Sequence, residues 1–332
     1  MSLTKLEVDR YISTLRTNSK EFNNISNIQL STMLEEVISN IKDVAYFWAT
    51  ICSDNKGVSK EPTEGEEWLA GPFAAVLATQ YYIETLLNND NLNINNYDKN
   101  ENSYKVFPNK FIEKLTFPFI DAKVYFNKSM SFEEIDTYRG FAKRYNISPS
   151  ITLVLGAGNF SSIPFLDVLY HLIARKSVIL LKLNPVNEYL KPVFEKVFQN
   201  FIERGYVIIT TGNIEESKYM TKHPGINHIH LTGSDKTYED IVYGRQLNSK
   251  ERKVKSLPKI NTKTITSELG NVTPIIIHPG NWSTSDIKYQ ARKIVTGKMN
   301  NNGFNCIAAQ VIVLPDGWGQ TDTLIKYIKY YM

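Results

Sequence analysis

Apolar positions in the first quarter of the chain recur at helical spacing. Leu34, Val37, Ile38, Ile41 and Val44 fall on one face of a helix. The pattern resumes over 68–87 after a Gly71-Pro72 break, so residues 1–86 are predicted to be helical. Residues 88–103 (NNDNLNINNYDKNENS) offer almost nothing to bury, and an exposed loop is expected there. Strand-like alternation follows in 115–127. Ser131 and Glu134 then form a capping-box pattern that predicts a helix start. From residue 150 the pattern changes. Short apolar runs at 151–155, 177–183, 206–210 and 226–234 alternate with helix-like stretches at 163–175, 191–204 and 214–222. That alternation predicts a parallel sheet with crossover helices, a doubly wound α/β domain. Ligands bind beyond the carboxyl ends of such strands, here 156–159, 182–187, 211–213 and 232–235. A further segment opens near 264, with a helix expected at 284–299 and a strand at 308–314.

Composition narrows the class. The 332 residues suffice for about two domains of about 150 residues. At 42% hydrophobic and 22% charged, the chain can bury a sizeable core, which excludes wholesale disorder and fibrous repeats. The formal charge of +4 is small and no block of five like charges occurs, so neither a nucleic-acid partner nor a basic binding tail is expected. The two cysteines, Cys52 and Cys306, are too few and too far apart for a disulfide framework or a zinc cluster. The first residues carry acids and no apolar run, so no signal peptide is expected. Apolar stretches are too short and too broken to span a bilayer. A cytoplasmic location without membrane attachment follows as the expectation.

Several residues could carry chemistry. The loop Gly156-Ala-Gly158-Asn159-Phe-Ser161 follows a strand and opens a helix, as a dinucleotide loop would. The third glycine of that fingerprint is Ser161. The acid expected at the end of the second strand is Lys182, which would donate to ribose hydroxyls or pair with a 2′-phosphate. A tight ligand-free turn fits the same loop. Glu268, in Ser267-Glu-Leu269-Gly270, reads either as a surface carboxylate or as a general base at a strand end. Cys306 follows Asn302-Gly-Phe-Asn and precedes Ile-Ala-Ala, a plausible helix start. A cysteine at a helix N-terminus has a lowered pKa and is the better nucleophile for it. The alternative is a small buried hydrophobe.

Taken together these residues resemble the aldehyde dehydrogenase superfamily. Lys182 is similar to its cofactor lysine, and Leu231-Thr-Gly233-Ser234 to its Thr-Gly-Ser turn under the cofactor. Glu268-Leu269-Gly270 looks like its glutamate motif, Gly303-Phe-Asn-Cys306 like its catalytic segment, and Asn159 falls where the family keeps an oxyanion asparagine. The order matches, and coverage runs from about residue 110 onward. The strings VLGAGN, LLKLNPVNEYL, HPGINHIHLTGSD and ITSELGNVTP look like a divergent bacterial branch.

The resemblance implies a helical N-terminal region (1–110), a doubly wound NAD(P)-binding domain (111–263) and an incomplete α/β catalytic domain (264–332). It implies Cys306, Glu268 and Asn159 as catalytic residues. Lys182, Gly233, Ser234, Leu269, Gly156 and Gly158 would contact NAD or NADP, and no metal is implied. The substrate would be an aldehyde or an acyl thioester. Three family positions differ: Ala157-Gly158 stands for a Pro-Trp pair, Pro185 for a glutamate, and Tyr238 for a glycine. The choice between NAD and NADP therefore stays open. Family members continue well past the cysteine, so a chain ending at Met332 reads as a fragment. A homo-oligomer is expected of the longer chain.

Three rivals stand beside this reading. Coenzyme A in place of water would make the same site an acyl-CoA reductase. A partial chain could bind nucleotide without turnover. Tyr289 and Lys293 fit the Tyr-x-x-x-Lys pair of short-chain dehydrogenases, a match expected by chance among 19 tyrosines. His228 and His230 share one face of a strand, but a satisfied strand histidine is the more frequent case than a metal ligand.

Overall fold

The computed structural model describes residues 3–87, 93–127, 129–138, 147–254 and 256–332. The chain opens with two capped helices. In α1 (Lys5–Asn24), Thr4 and Glu7 close a capping box, and Val8, Ile12, Leu15 and Phe22 make the buried stripe. In α2 (Asn27–Lys56), Ser26 and Gln29 do the same. That helix runs 30 residues and stops at Gly57, whose φ of 69° supplies the left-handed C-cap. A short α3 (Glu64–Trp68) passes through a wide turn at Leu69–Phe73, with Gly71 outside helical φ/ψ and Pro72 inside it, into α4 (Ala74–Leu87). The predicted Gly-Pro break is this turn.

The loop expected at 88–103 differs. Residues 88–92 lie outside the described residues. Beyond them a 3₁₀ turn leads into β1 (Tyr97–Asp98) and β2 (Ser103–Phe107), which pair antiparallel. Side-chain hydrogen bonding makes this polar stretch ordered. The Tyr97 hydroxyl donates to Asn102 Oδ1 at 2.7 Å, and Asn102 Nδ2 donates to the Asn127 carbonyl at 2.7 Å. The strand expected over 115–127 is shorter. Residues Phe111–Thr116 form α5, and only Ala122–Tyr125 form β3, which pairs with β2. The Ser131–Glu134 box opens α6 (Phe132–Tyr138) as predicted.

The second half carries the sheet. Strand β4 (Ile151–Leu155) leads through α7 (Ser162–Ile173) to β5 (Val178–Lys182). The predicted single helix over 191–204 is two, α8 (Lys191–Val197) and α9 (Gln199–Glu203), broken at Phe198. Then come β6 (Val207–Thr210), α10 (Ile214–Lys222), β7 (His228–Gly233), α11 (Asp235–Tyr243) and β8 (Thr264–Leu269). The five strands lie in the order β6-β5-β4-β7-β8, all parallel. From β4 the chain winds outward to β6, then returns to β7 on the other flank. The topological switch point is therefore between β4 and β7, the place beyond the strand ends where sheets of this kind bind ligands.

The remainder is smaller. Two-residue strands β9 (Ile275–Ile276) and β10 (Ile312–Val313) pair in parallel beside α12 (Thr284–Met299) and α13 (Thr321–Tyr331). The strand expected at 308–314 shrinks to these two residues.

Two cores result. The larger joins α1, α2 and α4 to both faces of the sheet through residues such as Phe22, Trp48, Phe165, Leu180 and Phe198. The helical N-terminal residues thus share one core with the nucleotide-type sheet. Strand β8, placed by sequence after a boundary at 263, is the fifth strand of that sheet. The smaller core packs Ile277, Ile287, Ala291 and Leu324 between α12 and α13. Among the described residues no helix is long and apolar enough to cross a membrane.

Candidate functional site

The strand ends on either side of the switch point carry most of the predicted residues. Lys182 ends β5 and pairs in register with Leu155. Its side chain is buried at 6% exposure, and burial holds its amine below the usual lysine range, with Glu188 and Glu216 pulling the other way. Among the described residues that amine has neither a hydrogen-bond nor an ion-pair partner. Gly156 is tied to the same strand end, its N–H donating to the Lys182 carbonyl at 3.0 Å. Gly158 is required by packing. A Cβ there would lie 2.8 Å from Val186 Cγ2 and 2.9 Å from Asn184 Cγ. The space above this glycine therefore belongs to the loop after β5.

On the other flank, Gly233 closes β7 and Ser234 caps α11, its Oγ accepting the Thr237 N–H at 3.1 Å. Register sets Thr232 beside Glu268 and Gly233 beside Leu269. Glu268 is exposed and has no hydrogen-bond or ion-pair partner among the described residues. Leu269 packs on the main core.

Cys306 arrives from the second core. It is exposed, with its Sγ 3.8 Å from Asn305 Oδ1. The helix start expected at Ile307 does not form. Asn305 Oδ1 instead accepts the Ile307 N–H at 3.0 Å, and the chain turns away toward β10. The thiol thus does not stand at the start of a helix formed by its own segment. Asn159 and the Cys306 loop meet directly. Asn159 Nδ2 donates to the Phe304 carbonyl at 3.0 Å, and Asn301 Nδ2 donates to the Asn159 carbonyl at 3.1 Å. No hydrogen bond joins Glu268 to either residue.

Sequence reasoning passed over the support behind this loop. Asn301 and Asn302 sit at φ 53° and 52°, followed by Gly303 at 79°. Asn301 is buried. Its N–H donates to Glu66 at 2.7 Å and its Oδ1 accepts from Lys56 at 2.7 Å. Lys56 also pairs with the buried Glu67 at 2.7 Å. The available signal was the run Asn300-Asn-Asn-Gly303, since asparagine and glycine tolerate left-handed backbone.

The rival residues lie elsewhere. Tyr289 and Lys293 are on α12, in the second core's layer, with Lys293 Nζ 5.7 Å from the Tyr289 ring centroid. His230 is held by Thr266 at 2.8 Å and by Asp167 at 3.2 Å, and the His171 ring lies 5.0 Å from it. Among the described residues no cluster of His, Cys, Asp or Glu could hold a metal ion.

Comparison with known proteins adds to this geometry. The sequence model of the aldehyde dehydrogenase family matches residues 159–329. Aldehyde dehydrogenase family 3 member A2 of Macaca fascicularis is 23% identical over 163 residues, 49% of this chain and 30% of that protein. The 4,4′-diaponeurosporen-aldehyde dehydrogenase of Staphylococcus aureus is 24% identical over 162 residues, 49% of this chain and 31% of that protein. Among solved structures, an NADP-dependent glyceraldehyde-3-phosphate dehydrogenase from Bacillus halodurans, complexed with NADP, superposes with a TM-score of 0.62 at 14% identity, covering 99% of this chain and 57% of that one. An aldehyde dehydrogenase C mutant from Pseudomonas syringae, solved with NAD⁺ and octanal, gives 0.62 at 12%, covering 99% and 55%. The chain therefore spans a little over half of these solved structures, and its matched stretch spans less than a third of the curated relatives.

Proposed function

Since the chain belongs to the aldehyde dehydrogenase family, we propose that it oxidises an aldehyde with NAD⁺ or NADP⁺ through a covalent intermediate on Cys306. One observation carries this reading: the Asn159 amide and the Cys306 loop, 145 residues apart in sequence between Asn159 and Phe304, are hydrogen-bonded to each other beyond the end of β4. That is the juxtaposition that acyl-transfer chemistry needs.

The residues would act in sequence. The Cys306 thiolate adds to the aldehyde carbon, forming a C–S bond and leaving charge on the carbonyl oxygen. The Asn159 amide and the Cys306 backbone N–H stabilise that oxyanion, and one such donor is worth about 3–4 kcal/mol. A bound dinucleotide would accept hydride from that carbon, so that the C–H bond breaks, the carbonyl re-forms and the acyl group is left on Cys306 as a thioester. Glu268 takes a proton from water, whose oxygen then attacks the thioester and releases the acid and the Cys306 thiolate.

The chain has a fitting donor set for the dinucleotide. The buried, unpartnered Lys182 amine suits a ribose hydroxyl or a 2′-phosphate. Gly156 and Gly158 follow the end of β4, Gly233 ends β7 with Ser234 next to it, and Leu269 ends β8 in register with Gly233. Gly158 reports on packing rather than on phosphate, because Asn184 and Val186 already fill the space its side chain would need. That the neighbouring structures hold NADP in one case and NAD⁺ in another keeps both dinucleotides in the proposal.

Intact-protein mass spectrometry tests the reading. Incubation with either dinucleotide and a panel of aldehydes should leave an acyl-sized adduct on wild type and none on Cys306→Ala. Discharge by water or by added coenzyme A then separates the dehydrogenase from the acylating enzyme. No adduct with any pair, together with measurable dinucleotide binding, would leave a nucleotide-binding chain without turnover.

A further inference from the structure

We propose that Asn301 is the positioning residue of the Cys306 loop, fastening it at once to the corner between α2 and α3 and to the Asn159 backbone; the inference rests on the reading of Cys306 as nucleophile. Three bonds meet on this one buried residue. Its N–H donates to Glu66 Oε2 at 2.7 Å, its Oδ1 accepts from Lys56 Nζ at 2.7 Å, and its Nδ2 donates to the Asn159 carbonyl at 3.1 Å. Lys56 is itself held by Glu67 at 2.7 Å, and its ammonium lies 5.7 Å from the Phe160 ring centroid.

The chemistry of the three partners selects an amide. Oδ1 faces an ammonium and must accept, while Nδ2 faces a carbonyl and must donate. Aspartate would set a carboxylate oxygen against the Asn159 carbonyl. Glycine would keep the left-handed backbone and the bond to Glu66 but lose both side-chain bonds. The backbone gives asparagine a second reason. Asn301, Asn302 and Gly303 are consecutive left-handed residues, a run that side-chain-bearing residues rarely adopt and that must be held by outside contacts.

The position of this turn sets the chemistry downstream. Residue 159 both accepts from Asn301 and donates to the Phe304 carbonyl, so the two bonds clasp the loop over a four-residue span. Cys306 lies two residues further on. Loosening the clasp would let the thiol and the Asn159 amide drift relative to each other, and a displacement of about 1 Å can cost about a hundredfold in rate. The N-terminal helices thus set the position of the Cys306 loop through Lys56 and Glu66.

The test uses Asn301→Gly, Asn301→Asp and Lys56→Met, with Glu66→Gln as the conservative control, because a glutamine oxygen still accepts the Asn301 N–H. Asn301→Asp replaces the glycine variant should the latter fail to fold by circular dichroism. Hydrogen exchange of the 300–306 amides reads the clasp, and steady-state kinetics read its consequence. The expected result is exchange at least about tenfold faster in Asn301→Gly, with kcat lowered about ten- to hundredfold and the KM for NADP⁺ or NAD⁺ within twofold. Glu66→Gln should stay within about threefold of wild type in both. Unchanged exchange overturns the proposal whatever the rate does, and faster exchange with unchanged kcat overturns it equally. If Cys306→Ala forms the same adduct as wild type, the nucleophile reading fails instead, and exchange alone then decides whether Asn301 holds the loop.

Discussion

Gly158 sits against the side chains of Val186 and Asn184. Adding its Cβ at 2.8 Å from Val186 Cγ2 and 2.9 Å from Asn184 Cγ obliges those two side chains, on the loop after β5, to shift. Gly158→Ala should destabilise the fold by about 1–3 kcal/mol, read as a lowered denaturation midpoint. It should also weaken dinucleotide binding, since that loop begins at Lys182. His171 makes a different residue-scale point. It is 1% exposed with both ring nitrogens unpartnered, and burial pushes its pKa down to about 3, helped by the neighbouring His230, Arg175 and His228. Between about pH 6.5 and 3 the unfolded chain takes up this proton and the folded chain does not. Stability contributed by the neutral ring is thus complete above about pH 6.5 and lost as pH falls, at about 1.4 kcal/mol per pH unit. His171→Leu should gain on wild type steadily over that range in urea titrations. A stability difference independent of pH would show that the ring is not held neutral.

Helices show what capping and length contribute at the scale of the element. At 30 residues, α2 runs about 45 Å and carries Leu34, Val37, Ile41, Trp48 and Cys52 into the core before delivering Lys56 to the Cys306 loop. Its start is fixed by Ser26 Oγ accepting the Gln29 N–H at 3.3 Å while the Gln29 side chain accepts the Ser26 N–H at 3.0 Å. Ser26→Ala should cost about 1 kcal/mol, seen as a drop of a few degrees in Tm. The effect on turnover should be small, because the far end of the helix is held separately by Gly57 and by the Lys56–Glu67 pair. Strand β8 behaves in the opposite way. Its side chains are mostly exposed or half-buried, and it draws its position from the ladder with β7.

Stability is unevenly distributed over the whole molecule. The large core interlocks the N-terminal helices with the five-stranded sheet through a dense set of aromatic contacts. Trp48 meets Phe165 and Phe194, and Phe165 stacks on Phe198 at 5.1 Å. Removing α1 would take away Val8, Ile12, Leu15 and Phe22 and bare the apolar surface of the sheet they cover, Tyr206 included, so a chain lacking residues 1–24 should not fold. The second core buries few large side chains and holds a parallel sheet of two residues per strand. Native-state hydrogen exchange should therefore show α12 and α13 opening at lower free energy than β4 and β5. Equal protection in both regions would contradict that division.

Much of this was legible in the sequence because it is written in local pattern. Apolar runs marked strands β4 to β7, the Ser131–Glu134 box marked the start of α6, and the resemblance carried by Lys182, Thr232-Gly233-Ser234, Glu268 and Cys306 pointed to the family. Each of these signals depends on residues a few positions apart, which is the range over which period and capping act. Strand order, the sharing of one core between the N-terminal helices and the sheet, and the turn that takes the place of a helix at Ile307 depend on contacts between distant residues. So does the clasp on Asn301, where residues 56, 66, 159 and 301 converge. The sequence by itself determined the alternation of strands and helices over β4 to β7, the family and the residue types available for chemistry. Only the tertiary structure decided which of those side chains meet, because a hydrogen bond across more than two hundred residues leaves no period in the chain.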